Sequence, residues 1–210
     1  MSRWQVGDVR ITQIVESEYP WKGTVLMREA TPEAIRAAIP RHVNPCFVDA
    51  HSARLRLSMH AFALEVGGRR IIVDTCVGND KPRDWHVVNQ LHTSFLSDLA
   101  APGFPRESVD LVMCTHLHYD HVGWNTMLVA GRWLPTFPNA RYLVARKEWE
   151  HWIESDDAAI GDSVRPVFDA GLVDMVDLDS KIGAEIRLEP SPGHTPGHVA
   201  SGFPRAARKR

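Results

Sequence analysis

The sequence predicts an α/β fold in which the β-sheets are covered. Strand-like and helix-like segments alternate along the 210 residues without an obvious linker or internal repeat, and this alternation is typical of α/β domains. The segment VDLVMCT at 109–115 is a nearly continuous apolar run, which indicates a strand buried on both faces. A chain of this length suits one domain, so we predict a single domain over residues 1–210.

Each element is predicted from a local pattern. Gly67 and Gly68 separate two strand patterns and predict a β-hairpin. Thr31 occupies an N-cap position and Pro32 the first helical position, which predicts a short helix. The predicted strands are 9–15, 55–66, 69–75, 109–115, 141–145, 173–178 and 184–190. The predicted helices are 31–39, 93–100 and 146–155.

Composition and charge exclude several classes of protein. Apolar residues make up 44% and charged residues 24%, as in ordinary globular proteins. A net charge of -2 gives no general basic field, so no nucleic-acid partner is expected. No apolar run approaches the ~20 residues that span a bilayer, so no membrane association is expected. Without a recognisable export signal, a cytoplasmic location is expected.

The cysteines and the end of the chain lead to two further predictions. Cys46, Cys76 and Cys114 form no C-x-x-C pair, so we expect each to be a buried thiol rather than a catalytic nucleophile. Residues 199–210, VASGFPRAARKR, lose the strand pattern. Because glycine, proline and basic residues are rare in core strands, this segment is predicted to be an atypical basic tail.

The stretch CTHLHYDHVGWN at 114–125 concentrates metal-binding residue types directly after the buried strand. In an extended H-x-H segment, His116 and His118 direct both rings to one side. Asp120 and His121 follow where the chain is expected to turn into a helix, so their side chains can point to a second position. A loop at the carboxyl end of a strand commonly faces a cleft, and this one could hold two metals.

A second histidine motif, SPGHTPGH at 191–198, presents His194 after another predicted strand. Neutral imidazole is a good zinc ligand, and three imidazoles leave an open coordination position. This arrangement is typical of a catalytic zinc rather than a structural one.

Three motifs in order, VDTCVGND at 73–80, THLHYDHVG at 115–123 and SPGHTPGH at 191–198, resemble the metallo-β-lactamase-fold hydrolases. The resemblance covers 55–198 and implies an αββα sandwich. The VGWN segment at 122–125 and the N-terminal arm at 1–54 look most like the lactonase and organophosphate-hydrolase branch of this family.

The resemblance also implies roles for individual residues. His116, His118 and His194 would bind the first zinc, and Asp120 and His121 would contribute to the second. Asp120 would also be catalytic, orienting a metal-bound hydroxide and carrying a proton to the leaving group. Asp74 would support the site without binding metal, and His198 would support the ligand loop by hydrogen bonding.

The end of the chain departs from the family pattern. Family members continue with strands that supply a bridging aspartate and a last histidine for the second metal, and nothing after His198 fills those roles. We therefore expect a sandwich that is incomplete at its C-terminus, with one bound zinc. Each apolar side chain left exposed forgoes about 1.5 to 3 kcal/mol, so low stability, or a homo-oligomer that covers these faces, is expected.

The expected function is hydrolysis of an ester, lactone or related bond in a small-molecule substrate, with zinc as cofactor. Two alternatives stay open at this point. One is an iron-dependent redox member of the same fold, and the other is a metal-binding remnant without catalytic activity.

Overall fold

The structure is a computed structural model that describes residues 2–39, 45–49 and 51–203. It divides into two compact units, Met1–Glu16 with His60–Arg210, and Ser17–Met59. The basic residues of the predicted tail lie outside the described residues. Among the described residues, no helix is both long and apolar enough to cross a membrane.

The strands and helices take their numbers from chain order. The strands are β1 (Arg3–Val6), β2 (Val9–Trp21), β3 (Val48–Asp49), β4 (Arg54–Val66), β5 (Arg69–Val73), β6 (Leu111–Met113), β7 (Thr126–Val129), β8 (Arg132–Pro135), β9 (Arg141–Ala145), β10 (Val173–Val176), β11 (Lys181–Ile182), β12 (Ile186–Pro190) and β13 (Val199–Gly202). The α-helices are α1 (Gly23–Leu26), α2 (Pro32–Ala38), α3 (Phe95–Ala100), α4 (Tyr119–Val122), α5 (Arg146–Trp152) and α6 (Arg165–Asp169). A π-helical segment, Ile160–Val164, precedes α6.

The main sheet of the larger unit has the strand order β1-β2-β4-β5-β6-β9-β10. The predicted hairpin is confirmed, since β4 and β5 pair antiparallel from Phe62↔Val73 to Val66↔Arg69. From β5 onward, neighbouring strands are parallel. The carboxyl ends of β5, β6 and β9 therefore meet at one edge of the sheet, which is where ligands bind in open α/β sheets.

A second sheet, β11-β12-β13, is antiparallel, and its last strand corrects the prediction that no strand follows residue 198. Val199–Gly202 pairs with β12 in the register Pro190↔Val199 to Arg187↔Gly202. Val199 is buried, and its amide donates to the Thr115 carbonyl at 3.0 Å. Pairing and burial thus outweigh the weak strand propensity of this segment, because strand preference depends strongly on context.

The two faces of the main sheet contact different layers, as side-chain alternation along strands requires. Ile71 and Val73 of β5 pack in one cluster with Ile186 and Leu188 of the second sheet. The helical side of the sheet contributes Ile72, Val112, Tyr142 and Val144, which pack with side chains from α3, α4 and α6. The result is a helix layer, a central sheet and a second sheet, which confirms the predicted α/β class.

The smaller unit contains the capped helix that the sequence predicts. The Thr31 hydroxyl accepts a hydrogen bond from the Ala34 amide at 3.2 Å, and Pro32 is the first residue of α2. Ile35 of this helix packs with Val48 and Ala53. These contacts confirm the cap and give this unit a small apolar core of its own.

The cysteine prediction is right for two positions and wrong for the third. Cys76 and Cys114 are buried, whereas Cys46 is exposed. Burial raises the pKa of the Cys114 thiol to about 12. Cys46 lies in a short 3-10 turn, Pro45–Phe47, and the absence of a C-x-x-C pair, on which the prediction was based, gives no information about the burial of a single cysteine.

A buried ionic network lies beside the β7–β8 hairpin of the larger unit. Arg83 donates two hydrogen bonds to the Asp162 carboxylate, at 2.7 and 3.0 Å. Lys81, which is fully buried, donates to the Thr126 hydroxyl at 2.6 Å and lies 3.6 Å from the centre of the Trp133 ring. Burial lowers the pKa of Lys81 to about 7. Through their hydrogen bonds to Asp162, Lys81 and Arg83 hold the 81–83 loop against the π-helical segment.

Candidate metal centre

The candidate residues meet at the carboxyl edge of the main sheet. His116 and His118 lie in the loop that follows β6, Asp120 and His121 lie in α4, and Asp74 directly follows β5. His194 lies in the loop between β12 and β13. The second sheet therefore brings a third segment to an edge where two parallel strands already end, so His118 and His194, 76 positions apart in the sequence, become neighbours.

Three histidines form a group with the geometry of a metal site. One ligand atom from each of His116, His118 and His194 lies within 4.8 Å of the others. His118 Nδ1 and His194 Nε2 are 2.9 Å apart. Exposure of the side chains increases from His116, which is buried, through His118 to His194. The site is therefore open to solvent on the His194 side.

His116 Nε2 is the strongest indication that the group binds a metal ion. The other ring nitrogen, Nδ1, lies 3.1 Å from the Thr115 hydroxyl, whereas Nε2 is buried and has no hydrogen-bond partner among the described residues. A buried polar atom without a partner is costly. A cation at this position would remove that cost.

The protonation states suit metal binding. Burial, followed by the neighbouring imidazoles, lowers the pKa of His116 to about 2. Burial and His194 also lower the pKa of His118. Both rings are thus neutral near pH 7, with lone pairs available, and metal ligands must be in that state.

Asp120 and His121 lie beside this group: His121 contacts two carboxylates, and its ring centre is 4.0 Å from that of His116. His121 Nδ1 is 2.8 Å from Asp74 Oδ2, and His121 Nε2 is 3.5 Å from Asp120 Oδ2. Burial opposes a charge on His121, but both carboxylates outweigh it and raise the pKa of His121 to about 10. Among the described residues, the three-membered ligand group does not include Asp120 or His121, so their role at a second metal stays a prediction.

Asp74 connects the β5 loop to the 114–125 histidine segment. Its carboxylate accepts hydrogen bonds from the Thr115 amide at 2.8 Å and from the Thr115 hydroxyl at 2.8 and 3.0 Å. Thr115 in turn contacts His116. Asp74 also has a φ of 58°, a left-handed conformation that is uncommon for residues other than glycine. These contacts agree with the expected supporting role, and Thr115 is a member of this set that the sequence analysis missed.

His198 makes a backbone hydrogen bond within the ligand loop, and the supporting role of its side chain stays a prediction. Its Nδ1 is buried and has no hydrogen-bond partner within the described part of the chain, so the predicted side-chain hydrogen bond is not found at that atom. The ring centre lies 4.8 Å from that of His116. The backbone is what holds the loop here, because the Ser191 amide donates to the His198 carbonyl at 2.9 Å.

Two glutamates near the site, the partly buried Glu16 and the buried Glu148, were also missed. Glu16 accepts hydrogen bonds from the Val77 and Gly78 amides at 2.8 and 3.1 Å and from Trp124 Nε1 at 2.6 Å. Burial raises the pKa of Glu16 despite these bonds. Glu148 is 1% exposed and lies in α5. Glutamate at a buried position is rare unless it has partners, but only the tertiary structure shows which positions are buried.

Gly123 explains why the segment after the histidines packs so closely on the Glu16-bound loop. A Cβ at this position would lie 1.7 Å from the Val77 carbonyl oxygen. The Gly123 and Trp124 amides donate to the Cys76 and Thr75 carbonyls, both at 2.8 Å. The VGWN segment at 122–125 therefore has a packing role.

Comparison with known proteins adds a family assignment. Residues 57–204 match the model of the metallo-beta-lactamase superfamily. The chain is 34% identical over 111 residues to the N-acyl homoserine lactonase AttM of Azorhizobium caulinodans; this alignment covers 49% of the chain and 39% of the lactonase. The chain thus spans well under half of that relative's length.

Solved structures share the fold. The hydrolase AbOPH in the beta lactamase superfamily superposes with a TM-score of 0.75 at 22% identity, over 96% of this chain and 69% of AbOPH. The dizinc quorum-quenching lactonase AidC gives a TM-score of 0.72 at 14% identity, over 99% of this chain and 71% of AidC. Because the family model matches more than half of the chain, the protein belongs to the metallo-beta-lactamase superfamily.

Proposed function

We propose that the chain is a zinc-dependent hydrolase that acts on an ester, lactone or related bond of a small molecule. The observation on which this rests is the convergence of three imidazoles, with His116 Nε2 buried and without a hydrogen-bond partner among the described residues. Three nitrogen donors with an open position are typical of catalytic zinc. The lactonase and hydrolase relatives support the reaction class.

The donor set fits zinc in particular. His116, His118 and His194 would hold the ion, and the buried cysteines lie apart from this ligand group. When bound, zinc polarises a substrate carbonyl and lowers the pKa of water toward neutrality. A serine or cysteine nucleophile is then unnecessary.

The protein's own residues would orient the reactants and move protons. Asp120 contacts His121, and although burial raises its pKa, that contact produces a net lowering, so Asp120 is ionised near pH 7 and can accept a proton. Asp74 fixes the His121 ring through Nδ1. The exposed side of the site, at His194, is where a substrate can enter.

We expect the purified chain to contain about one zinc and to hydrolyse esters or lactones slowly. The reason for one ion is that the three histidines share one ligand group, whereas His121 is engaged by two carboxylates. Metal content by mass spectrometry, combined with an esterase and lactonase panel, measures both quantities.

The same experiment separates the alternatives. Iron in place of zinc would favour the redox function, and zinc without turnover would favour a non-catalytic metal-binding protein. Two tightly bound ions with ordinary turnover would contradict the expected stoichiometry. His92→Ala is a suitable control, because this histidine is exposed, with its Nδ1 3.6 Å from Asp80, and lies outside the proposed site.

A further inference from the structure

We propose that Glu148 is a positioning residue that holds the two histidine segments at the separation a metal ion requires. The inference rests on the metal centre of the proposed function, because the segments concerned contain its three ligands. Glu148 itself binds no metal in this account. It acts through hydrogen bonds to the backbone on both sides of the centre.

The two carboxylate oxygens of Glu148 have different partners. Oε1 accepts a hydrogen bond from the Leu117 amide at 3.2 Å, and Leu117 lies between His116 and His118. Oε2 accepts from the Gly197 amide at 2.8 Å, three residues after His194. One rigid group thus connects the first ligand segment to the second.

The burial of Glu148 indicates that this connection has a specific role. A carboxylate that is 1% exposed loses nearly all its hydration, which is costly unless hydrogen bonds replace it. The described hydrogen bonds to it come from two backbone amides and from Trp152 Nε1, the last at 2.8 Å. An apolar residue would fill the position at lower cost, but it would leave both amides without an acceptor.

Helix α5 approaches the His194 segment so closely that only glycine fits at the contact. A Cβ on Gly197 would lie 2.3 Å from the Glu148 nitrogen and 2.6 Å from its Cα. Trp152, one turn further along α5, places its ring edge-on to His118, with centres 5.2 Å apart. The helix therefore contacts both ligand segments directly, and Glu148 lies at the centre of that contact.

The substitution Glu148→Gln tests this role with little change in shape. The amide group of glutamine can accept from one backbone N–H, but its NH2 then faces the other, so one segment is released. We expect zinc affinity, measured by competition with a chromophoric chelator, to fall about 10- to 100-fold, the range typical for residues that orient metal ligands. The d–d absorption spectrum of the cobalt-loaded chain should also change. Glu150→Gln, at an exposed position of the same helix, should change neither.

The outcomes separate this inference from the proposed function. If the wild-type chain binds no zinc, the proposed function fails. If wild type binds zinc and folded Glu148→Gln shows the same affinity and the same cobalt spectrum, the positioning role is overturned. Should Glu148→Gln not fold, Glu148→Asp is the second variant: it keeps the charge but is one methylene shorter, so its carboxylate is not expected to reach both the Leu117 and Gly197 amides. The same loss of affinity is expected, and wild-type affinity in this variant would overturn the inference.

Discussion

Replacing His116 with alanine is expected to abolish tight zinc binding and any hydrolysis, while the folded core remains. His116 is the most buried of the three ligands, and its pKa of about 2 keeps it neutral. Loss of a direct ligand should weaken zinc binding by more than about 100-fold, the upper end for residues that only orient ligands. Zinc content after dialysis, measured by mass spectrometry, and hydrolysis rates test this.

The fold should tolerate the change, because His116 Nε2 has no hydrogen-bond partner among the described residues, and the Thr115 hydroxyl, which contacts Nδ1, keeps its hydrogen bond to Asp74. Circular dichroism of the zinc-free variant should therefore match that of zinc-free wild type. His92→Ala is the matched control and should keep both zinc and activity. Unchanged zinc content in His116→Ala would reject the ligand assignment.

The largest expected effect on stability comes from Asp162→Ala. Asp162 accepts two hydrogen bonds from Arg83, and both side chains are nearly buried. Removing one partner of a buried ion pair costs about 3 to 5 kcal/mol, because the other charge stays buried without compensation. Lys81, with a pKa of about 7, can lose its proton, but arginine cannot.

Urea unfolding of the zinc-free proteins measures the loss in free energy of unfolding directly. For comparison, the total free energy of unfolding of an ordinary domain is about 5 to 15 kcal/mol. Asp156→Ala removes an exposed carboxylate nearby in sequence and is expected to change the free energy of unfolding by less than about 0.5 kcal/mol. A similarly small change in Asp162→Ala would show that the Arg83 charge is solvated and that the network adds little.

The sequence predicts the parts of the fold that depend on local patterns. The glycine pair between β4 and β5 and the Thr31 cap of α2 are local signals, and both are found. Strand β13 was missed because its stability comes from pairing with β12 and from burial of Val199. The π-helical segment 160–164 depends in the same way on partners distant in sequence, such as Arg83 and Lys81.

The candidate site shows the same division. Crowded histidines are visible in sequence because H-x-H spacing directs rings to one side, and the structure brings His116, His118 and His194 together. Supporting residues such as Glu148 and Thr115 leave no such pattern, since their partners are backbone amides or side chains positioned by tertiary contacts. Spacing along a loop can indicate ligands, but it does not reveal which buried carboxylates orient them.

X-ray absorption at the zinc edge of the zinc-loaded chain tests the central claim most directly. The three-histidine centre predicts a first shell dominated by nitrogen at about 2.0 to 2.1 Å, with the outer-shell scattering of imidazole rings. Sulfur at about 2.3 Å would place zinc on cysteine thiolates instead. That result, or a shell without imidazole scattering, would contradict a metal centre built from His116, His118 and His194.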